Sequence, residues 1–130
     1  MKKTIKELTR AEEQVMHILW KLRKAFVKDV VEHFENPKPA YNTVSTIIRI
    51  LEKKEFVSYK SYGNTYEYFP LVSKDEYSRL YLGKFIKNYF GNSYNQMVSF
   101  FANDSKVTIK ELEEIKELVE KEIKNKKNNG

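Results

Sequence analysis

The chain has no cysteine at all, and only four glycines and three prolines among its 130 residues. Without a thiol there is no disulfide framework, no thiolate metal site and no cysteine nucleophile. Long apolar runs are also missing, since none approaches the ~20 residues of a membrane-spanning helix. Residues 1–6 lead into polar sequence rather than a signal-peptide core. The expectation is a cytoplasmic protein with no direct membrane insertion. Histidine is limited to His17 and His33, and HExxH, GxxxxGK and GxSxG are all absent. The sequence therefore predicts no catalytic residue, no metal site and no cofactor, and argues against an enzyme.

Aromatics and lysine are plentiful. A chain that is 14% aromatic and 41% hydrophobic is too apolar to stay disordered. Its net charge of +6 favours anionic partners, and the excess is uneven. Residues 1–72 hold 13 basic and 9 acidic side chains (+4), and residues 73–130 hold 11 and 9 (+2). Lys21, Arg23, Lys24 and Lys28 follow one another with no acid among them.

Apolar periodicity predicts three short helices in the first half. Thr9 and Glu12 form a capping box, and Ala11, Val15, Ile18, Leu19 and Leu22 then fall on one stripe of a 3.6-residue helix. Val27, Val30, Val31 and Phe34 mark a second helix, ended by the Asn36-Pro37-Lys38-Pro39 run. The third helix is expected from about residue 40 to 54, with Val44, Ile47, Ile48 and Leu51 facing inward. Its opposite face carries Asn42, Thr46, Arg49 and Lys53, flanked by Thr43 and Ser45. A solvated helix face usually mixes Glu with Lys, but this one has hydrogen-bonding side chains, two cations and no acid. Two β-branched and aromatic runs, 56–62 and 65–69, follow around Gly63-Asn64, whose positive φ angles would close a hairpin.

The second half is helical. Ser73/Glu76 and Thr108/Glu111 are further capping boxes, and Gly91 is placed to end a helix over 73–90. That helix is apolar nearly all round, and such a helix must be covered on more than one side. Tyr77, Tyr81, Phe85 and Tyr89 are its candidate interface residues, joined by Leu112, Ile115, Leu118 and Val119 of the last helix. The simplest cover is a second copy of the chain. The expected fold is mainly α: an N-terminal winged helix-turn-helix over 1–72, then a helical dimerisation domain over 73–130.

For such a fold the third helix would enter a major groove of double-stranded DNA. Asn42, Ser45 and Thr46 could then hydrogen-bond base edges and Arg49 could take guanine or grip a phosphate, with Tyr41 and Thr43 on the same DNA-facing surface and Lys53, Lys54, Lys21, Lys24 and Lys28 on phosphates. Lys60 and Asn64 would extend the contact from the hairpin. A winged helix that docks a partner protein, without specific DNA binding, is the alternative.

Three stretches together resemble the penicillinase and methicillin-resistance repressors (BlaI/MecI type) and their copper-responsive relatives. They are Leu8-Thr9-Arg10-Ala11-Glu12 with Ile18-Leu19-Trp20, then residues 41–54, then Tyr66-Glu67-Tyr68-Phe69-Pro70-Leu71-Val72-Ser73. The resemblance implies a homodimeric repressor on inverted-repeat operators, with an intertwined C-terminal dimer and with Thr43 and Thr46 near bases and phosphates. It also implies, for antibiotic-responsive members, induction by proteolysis in the penultimate helix, triggered by a membrane sensor protease. Where those members carry an asparagine-phenylalanine bond, this chain has Phe100-Phe101. The absence of cysteine excludes the copper-responsive mechanism. The turn often holds arginine where this chain has Asn64, leaving Lys60 as the nearest cation.

Overall fold

The computed structural model describes residues 5–129. The order is α1 (Arg10–Leu22), α2 (Val27–Glu32), α3 (Tyr41–Lys53), β1 (Val57–Tyr62), β2 (Thr65–Pro70), α4 (Lys74–Phe90), α5 (Tyr94–Ala102) and α6 (Ile109–Asn129). This is a mainly helical chain with one antiparallel hairpin, and its first half is a winged helix-turn-helix.

The expected caps set the helix starts. The Thr9 hydroxyl accepts from the Glu12 N–H at 3.2 Å, and Glu12 Oε1 accepts from the Thr9 N–H at 3.1 Å. The same reciprocal pair forms at Ser73/Glu76 and at Thr108/Glu111. At Thr108 these bonds hold the fully exposed Glu111 carboxyl below its ordinary pKa. One expectation for α1 needs correcting. Ala11 is exposed, and the adjacent Glu12 is buried at 5% exposure. A charge takes the inner position because Lys54 Nζ lies 2.6 Å from its Oε1. Lys54 is therefore an internal counter-ion rather than a phosphate-binding cation.

α3 stops in a Schellman turn. The Phe56 N–H donates to Leu51 O and the Glu55 N–H to Glu52 O, with Glu55 at φ 67° in the left-handed region. This turn drops Phe56 into the core, where it is fully buried. Leu8, Val15, Met16, Leu19, Val30, Val44, Ile48, Leu51, Phe56 and Val57 form one cluster, closed by Tyr68 and Tyr77.

In the hairpin, Tyr62 pairs with Thr65 and Tyr59 with Tyr68, leaving Gly63-Asn64 as a two-residue loop. Gly63 has φ +62°, but Asn64 is not among the positive-φ residues described. One positive angle, at the first loop position, fits the turn type that requires glycine there, rather than the two-positive type expected. One further backbone pairing lies outside the two strands. Ala25 and Tyr68 exchange backbone hydrogen bonds of 2.9 and 2.8 Å, which fastens the hairpin to the α1–α2 connection.

The chain divides into two compact units, Met1–Leu82 and Gly83–Gly130. Tyr77, which follows the expected boundary at 72/73, falls within the first unit. Its hydroxyl accepts from the buried Leu8 N–H at 2.9 Å, and its ring meets Phe56 at 5.7 Å and Trp20 at 6.2 Å. Burial raises its pKa, against the pull of the Leu8 N–H. Tyr77 is thus a core residue, not a free interface residue. Tyr81, at the end of the first unit, is exposed; in the second unit Ile86 is buried, whereas Phe85, Tyr89, Leu118 and Val119 are exposed and Leu112 and Ile115 are half-buried. Neither α5 nor α6 has a buried residue.

Candidate nucleic-acid interface

α2 and α3 form the helix-turn-helix. Between them Lys38 Nζ donates to Glu32 O at 2.7 Å and Phe34 O at 3.1 Å, satisfying carbonyls at the end of α2. At the start of α2, Asp29 Oδ2 accepts from the Phe26 N–H at 3.0 Å. With α2 fixed in this way, α3 buries Val44, Ile48 and Leu51 and presents its other side to solvent.

That outward side matches the residues the sequence singled out. Tyr41, Asn42, Thr43, Thr46, Arg49 and Lys53 are exposed, and Ser45 is half-buried. Tyr41 shows 56% of its surface, a high value for an aromatic residue with no ring partner among those described. The Thr46 hydroxyl donates to Asn42 O at 2.9 Å. Its proton is therefore committed to the helix, and the side chain offers outward an oxygen acceptor and a methyl group.

Tyr41, Ser45 and Arg49 line a groove of about 510 Å³ together with Lys28 and Asp29 of α2 and Asn64, Tyr66 and Tyr68 of the hairpin. Five of the thirteen residues expected to face DNA, Lys28, Tyr41, Ser45, Arg49 and Asn64, therefore meet in one concavity. Asn42, Thr43, Thr46 and Lys53 lie on the exposed face of α3 outside it. Lys60 is not part of the groove. It pairs across the hairpin with Glu67, on the strand face opposite Tyr59 and Tyr66, and its Nζ sits 5.3 Å from the Tyr62 ring centroid.

Tyr66 is the residue that helical periodicity could not place. Its ring stacks on Tyr59 at 4.2 Å, and Tyr59 in turn meets Tyr68 at 5.6 Å. Burial and the nearby Glu52 raise the Tyr68 pKa, so its hydroxyl stays protonated. The usable signal was the two-residue loop. It sets Ser61 opposite Tyr66 and so puts residues 59, 66 and 68 on one face. Among the described residues, no three His, Asp or Glu side chains are grouped to hold a metal ion, and no helix is long and apolar enough to cross a membrane.

This surface has the chemistry of a polyanion reader. It combines cations, amide and hydroxyl groups and phenol edges on a convex helix with a groove beside it. Comparison with known proteins points the same way. The penicillinase repressor family model matches residues 8–121. The methicillin resistance regulatory protein MecI of Staphylococcus aureus (strain N315) is 26% identical over 116 residues, covering 88% of this chain and 94% of that protein. The penicillinase repressor of Bacillus licheniformis is 24% identical over 126 residues, covering 96% and 98%. Among solved structures, the DNA-binding domain of the repressor BlaI matches with a TM-score of 0.51 and 23% identity. It covers 58% of this chain and 94% of that domain, a likeness of fold.

Proposed function

The chain belongs to the penicillinase repressor family, and from that membership we propose that it is a cytoplasmic transcriptional repressor binding double-stranded DNA as a homodimer. The observation that carries this reading is the outer face of α3. It presents Asn42, Thr46, Arg49 and Lys53 to solvent, is free of acid, and is continuous through Arg49 with the wing groove. In a major groove, Arg49 reads guanine O6 and N7, Asn42 reads adenine, and the Thr46 methyl packs on thymine. Lys53 and Lys28 take flanking phosphates and set register without reading sequence.

The homodimer rests on the second unit. Tyr89 is 74% exposed, Phe100 69% and Leu118 64%, values a lone chain in water does not sustain across one unit. A two-fold pair of such units covers these rings and holds two α3 helices for an inverted repeat. An upstream membrane sensor protease completes the proposal as the relieving signal. Its target in α5 differs from an asparagine-phenylalanine bond, because Phe100-Phe101 stands there.

Gel-shift titration of the full chain against its own promoter region, at physiological salt, is the test. The expected result is preference for an inverted-repeat site over random duplex by at least about three orders of magnitude. Equal affinity for both would defeat the specific-repressor reading.

A further inference from the structure

A second groove, of about 800 Å³, lies elsewhere on the first unit, lined by residues of α1, the end of β2 and the start of α4. Its volume is in the range of small-ligand clefts. Trp20, Pro70 and Leu71 supply apolar surface, and Lys21, Arg23 and Lys74 supply charge. The tryptophan is held in place. Its Nε1 donates to Val72 O at 2.8 Å, and the His17 ring meets it edge-on at 5.3 Å. Arg23 is also set by the backbone, at φ 72° with its N–H on Leu19 O at 2.7 Å.

The charge in this groove is not balanced internally. Among the described residues, Lys21, Arg23 and Lys74 have no ion-pair partner. The one acid on the lining, Glu76, accepts the Ser73 N–H at 3.1 Å and so serves the α4 cap. Glu13 lies 3.7 Å from His17 and is not on the lining. An apolar wall faced by three cations and a single carboxylate carries a net positive charge, which fits a ligand with a short apolar body and one anionic head. A free inorganic anion would leave the indole and leucine unused, and a neutral apolar molecule would leave the cations unused.

We propose that this groove binds a small amphipathic carboxylate, seated against Trp20 and Leu71 with its head on Lys21, Arg23 and Lys74. The position gives binding a consequence. The Val72 carbonyl held by Trp20 and the Ser73/Glu76 cap together fix the entry into α4. A ligand there acts on the segment leading out of the DNA-reading fold, in a groove that shares no lining residue with the α3 groove.

Trp20 is the sole tryptophan of the chain, so its emission reports this groove alone. The experiment titrates the full chain, without DNA, with hexanoate, and with hexanamide and inorganic phosphate at matched ionic strength. The expected result is a saturable change in Trp20 emission with hexanoate in the millimolar range, and none with the amide or phosphate. Lys21→Gln with Lys74→Gln should weaken hexanoate by roughly fivefold while leaving the circular dichroism unchanged. Leu71→Ser should weaken it independently through the apolar wall. A response that does not saturate, or is matched by hexanamide, overturns the proposal. So does a lysine double variant that titrates like the parent. Because DNA is absent from the titration, its outcome stands apart from the repressor reading.

Discussion

Replacing Lys54 with methionine removes the cation that lets Glu12 occupy the inner face of α1. The pair is short, with Nζ 2.6 Å from Oε1, and the two side chains are only 22% and 7% exposed. In Lys54→Met the carboxylate keeps the Thr9 N–H at 3.1 Å but loses its counter-ion. Breaking a fully buried pair from one side costs about 3–5 kcal/mol. Water can reach the site along the partly exposed lysine stem, so the expected cost is about 2–3 kcal/mol. For a domain of this size that lowers Tm by about 10–20 °C.

Glu12→Gln retains an oxygen for the cap and should cost about 1–2 kcal/mol. The double variant should cost less than the sum of the two, because each single change already breaks the same pair. The pH dependence has a definite sign. Burial pushes the Glu12 carboxyl up, but the Lys54 hydrogen bond and charge and the Thr9 bonds outweigh it and leave the pKa below its ordinary 4.5. Its stabilising contribution is therefore present above the unfolded value and is lost as pH falls through the lower folded one. Urea melts should show the gap between parent and Lys54→Met narrowing as pH falls below the ordinary 4.5. A cost below about 0.5 kcal/mol at neutral pH, or a gap indifferent to acid, would refute the assignment of Glu12 and Lys54 as a working pair.

Three further outcomes are expected. Arg49→Ala should cost about 1–3 kcal/mol on the preferred site and little on random duplex, while Lys53→Gln should weaken both alike and flatten the salt slope by about 0.9; fluorescence anisotropy over a salt series separates them. Tyr77→Phe should lower stability by about 1–2 kcal/mol, through the unsatisfied Leu8 N–H, and leave the sedimentation coefficient unchanged. Phe85→Ser with Tyr89→Ser should do the reverse, shifting the full chain toward monomer in sedimentation velocity while the thermal transition of the first unit stays in place.

How much of this was legible in the sequence depended on whether the cause was local. Capping boxes involve residues three apart, so Thr9, Ser73 and Thr108 announced their helices correctly. The outer face of α3 followed from 100° per residue alone, and Asn42, Thr46, Arg49 and Lys53 are exposed as expected. Pairings across long separations were not legible. Lys54 reads as a free cation until the fold sets it against Glu12, 42 residues away. Tyr77 reads as one more ring on an over-apolar helix until Leu8 offers it a buried N–H, 69 residues away. Lys60 is a different case, because strand parity from the two-residue loop, a local cause, keeps it off the groove.

The Ala25–Tyr68 bridge has a consequence for how such a wing can diversify. A two-stranded hairpin is marginal by itself, and its register depends on the turn that closes it. Here the register is also pinned from the base, by backbone atoms of a residue 43 positions earlier. Backbone pairing places almost no demand on side chains. Residues 62–66 are thus relieved of the task of keeping the strands aligned, apart from the glycine that the turn requires. Side chains at the wing tip can be exchanged for others of different charge or reach, and the altered tip would still be delivered to the same place beside α3.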